Sequence, residues 1–217
     1  MEDREEEAIR YLGYGTHAVD DQTLALIRDA YKELDEAVRP RIVYRIFDLR
    51  LLGDNCIMIA DLEVKSRDLA RNLKGCSETI LLGATLGIET DLLMERYSVT
   101  DMARAVVLQA CASALLEEYI DHWQEEMSKE MGEKGLYLRP RFSPGYGDFS
   151  IRYQKDILGM LDAAKKIGLT MTEGSMLTPT KSVTAAIGLS TEQIGCHRKG
   201  CEMCAKTDCA YRRDTAK

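Results

Sequence analysis

Arg141-Phe142-Ser143-Pro144-Gly145-Tyr146, inside RPRFSPGYGDFS (139–150), is the stretch on which the reading of this chain turns. A long apolar and acidic helical pattern runs into it, and an amphipathic one leaves it. Pro144-Gly145 and Gly147-Asp148 are turn chemistry, because proline fixes φ and glycine admits positive φ and close backbone approach. An arginine entering such a turn offers a rigid fork to a carboxylate or phosphate, and a tyrosine offers a hydroxyl and a flat face. The stretch therefore reads either as a small-anion site or as a surface turn with an incidental arginine.

Outward from this turn, the preceding pattern covers residues 101–131, opened by a capping signal at Ser98-Val99-Thr100-Asp101. Its apolar face is read as Ala103, Val106, Val107, Ala110, Ala114, Leu115 and Trp123, and Glu117, Glu118, Asp121, Glu125 and Glu126 make its second half acidic. That acidic stripe is a solvated face or a docking surface for a basic partner. Residues 136–142 read as a strand delivering the turn. Residues 150–167 read as one helix, capped by Ser150 and stopped by Gly168, with Ile151, Ile157, Leu158, Leu161 and Ala164 inward. LTMT (169–172) and SVTAAIGL (182–189) follow as strands.

Nearer the start, 3–12 and 22–38 are helical, the second capped by Asp21 with Leu24, Ile27, Tyr31 and Leu34 facing a core. RIVYRIFDLRLL (41–52) alternates as a strand and closes at a Gly53-Asp54-Asn55 turn into a return strand at 56–60. Ser66 caps a short helix through Leu73, with Gly75 as its C′ residue. ETILLGATLG (78–87) is a buried strand whose Gly83 and Gly87 mark its end or admit a ligand, and 88–96 is a helix. The G-x-G-x-x-G order of a dinucleotide fingerprint is missing. Antiparallel strand signals with helices grouped apart from them predict an α+β fold with an antiparallel or mixed sheet.

The 217 residues carry a net charge of −7 and a pI near 5.2, which argues against nucleic-acid backbone binding. No run approaches the roughly 18 apolar residues of a membrane helix. The acidic opening MEDREEEAIR lacks an apolar signal region, so a cytoplasmic location is expected.

Seven cysteines in such a chain point to thiols or metal ligands rather than disulfides. Cys196, Cys201, Cys204 and Cys209 form C-x4-C-x2-C-x4-C within a locally basic tail containing His197, Arg198, Lys199, Lys206, Arg212 and Arg213. Four thiolates so spaced can hold zinc or an iron–sulfur cluster, or stay as redox-active thiols. Cys56, Cys76 and Cys111 read as small core residues. His17, in a loop, and His122, on the acidic helix, read as polar surface, with approach to a partner as the sharper reading of His17.

The ordered block from Arg141 to Ser190 resembles the activation (reactivation) domain of cobalamin-dependent methionine synthase, in a stand-alone version. The likeness runs through R-x-x-x-G-Y at Arg141, Gly145 and Tyr146 to Ile167-Gly168-Leu169-Thr170. It continues through Thr172-Glu173 to Met176, Pro179, Ser182 and Val183. The Thr-Leu-Gly strand end and long helix before the motif extend it toward the N-terminus. The resemblance implies an activation-like domain over 1–190 that binds S-adenosylmethionine, followed by the cysteine-rich tail 191–217.

Within that family, an electron and the methyl group of S-adenosylmethionine restore methylcobalamin from the inactive cobalt(II) state. The implied partners are a cobalamin-binding methionine synthase subunit or another corrinoid protein, and an electron donor such as flavodoxin or ferredoxin. The motif arginine, here Arg141, would hold the ligand's carboxylate, with Gly145, Tyr146 and neighbouring backbone completing the site. The family's acidic ligand contact maps to Ser113, with Glu117 one turn later, so that contact is lost or taken by Glu117. An iron–sulfur cluster on the tail cysteines would relay the electron. Other readings are service to a methylamine-, methoxyl- or glycine-betaine-type corrinoid protein, or a metal-bearing electron-transfer protein that has lost the ligand.

Overall fold

The structure is a computed structural model that describes residues 2–14 and 19–193. These fall into two compact units, one of residues up to 39 together with 86–119, the other of 40–85 together with 120–193. The cysteines of the tail, its His197, and His17 lie outside the described residues. Nothing structural therefore bears on the expected 191–217 tail beyond residue 193.

The first unit is helical. It contains α1 (Glu2–Tyr11), α2 (Asp21–Ala37), α4 (Ile88–Thr100) and the opening of α5 (Met102–Glu133). The N-cap of α2 is Asp20 rather than Asp21, since the Asp20 carboxylate accepts from the Thr23 amide at 2.8 Å. Ile27, Ala30, Tyr31 and Leu34 are its buried stripe, whereas Leu24 is only half-buried. The Tyr31 hydroxyl donates to the Arg4 carbonyl at 2.8 Å and joins α2 to α1. Asp101 ends α4 and caps α5 through the Arg104 amide at 3.0 Å. Cys111 is fully buried on α5, and burial pushes its thiol up to about 12. The apolar face of α5 differs from expectation. Ala103 and Val106 are exposed, and Leu108, Cys111 and Ala112 are buried in their place.

The second unit carries the sheets. Strands β1 (Arg41–Gly53), β2 (Cys56–Ile59), β3 (Leu62–Lys65), β4 (Cys76–Thr85), β5 (Tyr137–Leu138) and β8 (Ser182–Ser190) form one sheet in the order β3-β2-β1-β4-β8-β5. Every pairing in it is antiparallel. The fold is α+β, as expected. β6 (Thr170–Met171) and β7 (Leu177–Thr178) make a separate hairpin. The expected strand over 136–142 shrinks to two residues, followed by an isolated bridge between Phe142 and Ala186.

α3 (Arg67–Asn72), α6 (Tyr153–Leu161) and α7 (Ala163–Ile167) complete this unit. α6 and α7 replace the single helix expected over 150–167, because Asp162 takes a left-handed conformation with φ of 54°. The break turns Ala163 inward and Ala164 outward, and Ile151 is exposed ahead of the first turn. Gly168 ends α7 as expected. The core joins Val43, Leu81 and Ala186 from the sheet to Ile157, Leu158, Leu161 and Leu169 above it. Gly83 lies beneath that layer, where a Cβ would meet Leu169, Leu161 and Val43 at 3.4–3.5 Å. Packing, not ligand access, accounts for this glycine. Gly87 belongs to the helical unit as the N-cap residue of α4.

Gly188 is the tightest point of the sheet. A Cβ there would stand 2.6 Å from Cys76 Sγ and 2.8 Å from Leu73 Cδ2. Overpacking of a buried strand costs about 1–3 kcal/mol. Gly188→Ala is thus expected to lower the thermal midpoint by several degrees, measured by circular dichroism, while Gly132→Ala, with open space at its Cβ, leaves it unchanged or higher.

Candidate functional site

The stretch 139–150 packs into the second unit at three points. Phe142 exchanges both backbone hydrogen bonds with Ala186 of β8, each at 2.9 Å. Phe149 is 1% exposed and stacks on Tyr153 with ring centroids 5.7 Å apart. Asp148 supplies the third point. Its carboxylate accepts from the Ser66 hydroxyl at 2.6 Å and from the Arg67 and Asp68 amides at 2.9 and 3.0 Å. These bonds cover the start of α3, where the Ser66 hydroxyl in turn accepts from the Leu69 amide at 3.0 Å.

Two glycines make this docking possible. Gly147 has φ of 53°, and a Cβ there would lie 2.6 Å from Asp68 Oδ2. Gly145 has φ of 95°, and its amide donates to the Phe149 carbonyl at 2.7 Å. The Tyr146 amide donates to the Ser143 carbonyl at 3.2 Å. Both amides are therefore spent inside the turn and are not held ready for an anion.

The two arginines of the stretch part company. Arg139 is 9% exposed and donates through Nη2 to the Lys74 carbonyl at 2.6 Å, beside Cys76 and Gly188. It secures the sheet edge. Burial raises the Cys76 thiol above its usual range, and the Arg139 guanidinium offsets part of that rise.

Arg141 faces α5 instead. Its Nη2 stands 2.7 Å from Asp121 Oδ1, and its Nη1 donates to Gln124 Oε1 at 2.9 Å. The two acceptors are three residues apart and so lie on one helix face. In that part of α5 Ile120, Met127 and Met131 are buried, and the Trp123 ring lies 5.1 Å from that of Tyr44 on β1. The Arg141 side chain is 21% exposed, whereas Tyr146 is 69% exposed. The partly exposed guanidinium, paired with Asp121 and Gln124, and the exposed Tyr146 phenol stand on the same turn. A guanidinium can pair with a carboxylate or phosphate, and a phenol offers it an aromatic face.

The other acidic candidate, Glu117, belongs to the first unit and is half-buried. Burial raises the Tyr11 phenol, and the Glu117 carboxylate beside it adds to the rise. Ser113 donates its hydroxyl to the Gln109 carbonyl of its own helix at 2.9 Å. Asp121 and Gln124 were the residues that sequence reasoning missed as partners of Arg141. Asp121 stood only in the acidic stripe, and no local spacing links either residue to position 141. Among the described residues, no group of three or more His, Cys, Asp or Glu could hold a metal, and no helix is long and apolar enough to cross a membrane.

The Ser66 hydroxyl first, and the Asp68 and Arg67 amides with it, hold the Asp148 carboxyl down to about 2 from an ordinary 3.8. A depressed carboxyl contributes stability that is fully present above its unfolded value and is lost as pH falls through the folded one. The chain should accordingly lose stability between about pH 4 and pH 2, by urea midpoint. Asp148→Asn should flatten that part of the curve while lowering the neutral-pH midpoint, and an unaltered acid limb would contradict the assignment.

No family model matches the chain, and no curated protein matches it. Among solved structures it is similar to the crystal structure of the MetH reactivation domain bound to AdoHcy. The TM-score is 0.59 at 18% identity, over 85% of this chain and 75% of that one. At that identity the likeness is one of fold, and the α+β architecture of this chain is that of the MetH reactivation domain.

Proposed function

We propose that this chain is a stand-alone activation subunit that binds S-adenosylmethionine at the Arg141–Tyr146 turn and supports reductive remethylation of cobalamin on a partner protein. The partner under this reading is the cobalamin-binding part of a split methionine synthase. The observation that carries the proposal is the partly exposed Arg141 guanidinium, standing on a turn that Asp148 docks to the start of α3. The fold adds support, since the similar MetH domain was crystallised with AdoHcy.

The chain's own residues would bind and orient. Arg141 would take the ligand's carboxylate as a charge-assisted pair that lysine reproduces poorly. Tyr146 would lay its exposed ring against the ligand, where a sulfonium gains from an aromatic face. Gly145 would keep the turn in its left-handed conformation. The corrinoid supplies the cobalt chemistry from the partner, and this chain supplies positioning and charge.

Cys196, Cys201, Cys204 and Cys209 are proposed to hold a metal centre, either an iron–sulfur cluster or zinc. The spacing and the cations around it carry that assignment. A cluster would suit an electron relay between a flavodoxin- or ferredoxin-type donor and the corrinoid.

Calorimetry tests the ligand. S-adenosylmethionine should bind the wild type, and Arg141→Ala should weaken binding by about ten- to a hundredfold, the loss of one charged hydrogen-bonding partner. Equal binding to both proteins would defeat the assignment of Arg141. Metal analysis of anaerobically purified protein tests the tail. Iron with inorganic sulfide and visible absorbance supports the relay, whereas stoichiometric zinc in a colourless protein excludes it.

A further inference from the structure

The guanidinium assigned to the ligand is already engaged by a carboxylate of its own chain. Asp121 Oδ1 lies 2.7 Å from Arg141 Nη2, and Gln124 Oε1 accepts from Nη1 at 2.9 Å. The two acceptors differ in character. Gln124 is neutral and steadies the fork without competing for charge. Asp121 is anionic, and its side chain is 56% exposed. It can leave the fork by rotating into water, where its carboxylate stays hydrated. An ion pair with so exposed a partner is weakly held and sensitive to salt.

We propose that Asp121 is an internal competitor, a carboxylate that keeps the Arg141 fork extended from the turn and is exchanged for the carboxylate of the incoming ligand. The inference rests on the S-adenosylmethionine reading and deepens it. Exchange leaves the guanidinium paired with a carboxylate both before and after binding. It also sets a threshold. An anion must pair with the fork better than Asp121 does, which a planar carboxylate can do bidentately and a halide cannot. Pre-extension of the arginine lowers the ordering cost of binding, and the competition returns part of that gain as selectivity.

The exchange has a thermodynamic signature that a purely structural Asp121 would lack. Asp121→Asn keeps the size and an acceptor oxygen but removes the competing charge. At low ionic strength it should tighten S-adenosylmethionine binding by about two- to fivefold, the range expected when an exposed ion pair no longer has to be broken. The ratio of the two affinities should fall toward one at high salt, because screening weakens the internal pair. Asp121→Glu should return binding toward the wild-type value. In an Arg141→Ala background, Asp121→Asn should make no difference.

Calorimetry at two salt concentrations on the wild type and these four variants decides the matter. Tighter, salt-dependent binding by Asp121→Asn supports the exchange, as does binding by that variant where the wild type gives none. Binding that depends on Arg141 but is unchanged or weakened in Asp121→Asn overturns the exchange alone. Absence of binding by the wild type and Asp121→Asn alike removes both the ligand reading and the exchange.

Discussion

One carboxylate holds the candidate site in place. Asp148 accepts three hydrogen bonds at the start of α3 and thereby ties the turn to that helix. The burial of Phe149 beside it and the bridge from Phe142 to β8 make the attachment rigid from both sides. Gly147 exists in this arrangement because any side chain there would collide with Asp68. A binding arginine gains from such a base, since the cost of ordering the backbone is met in folding rather than on each ligand encounter.

The chemistry of the turn is divided between its ends. Arg139 is consumed by the sheet edge, where it supports Lys74 and lies against Cys76 and Gly188. The amides of Gly145 and Tyr146 are consumed by the turn. Outside those bonds stand the side chains of Tyr146, which is exposed, and Arg141, which is partly exposed and paired with Asp121 and Gln124. Under the proposed reading, recognition of an anion would rest on one guanidinium and one phenol rather than on a nest of backbone donors. This favours a planar carboxylate over a phosphate cradled by amides.

Much of this fold was legible where runs of strand-forming residues were long. The strands over 41–53 and 182–190 are present, although burial does not alternate along them, since β8 is buried over its last seven residues. The turn at 53–55 carries the Gly-Asp-Asn chemistry of a tight hairpin. Elements of two to four residues, β3 and β7, left no periodic signal to read. The helix over 150–167 kept its apolar residues but broke at Asp162, a residue whose short polar side chain tolerates the left-handed conformation. On α5 the spacing located the helix but misplaced part of its buried stripe, because Ala-rich turns carry little contrast between faces. The turn chemistry and the family resemblance single out Arg141 as a candidate site residue. They do not single out its partners Asp121 and Gln124, since the contacts are made across the fold and no local spacing encodes them.

In the proposed function, a small ligand is held by the turn that Asp148 anchors. Amide hydrogen exchange with and without S-adenosylmethionine tests it most directly, because protection reports the segment that a ligand stabilises. The account predicts slowed exchange across 141–149 and in the facing turns of α5 around Asp121 and Gln124. Saturating ligand that leaves 141–149 unchanged, or protects only segments elsewhere in the chain, would contradict it.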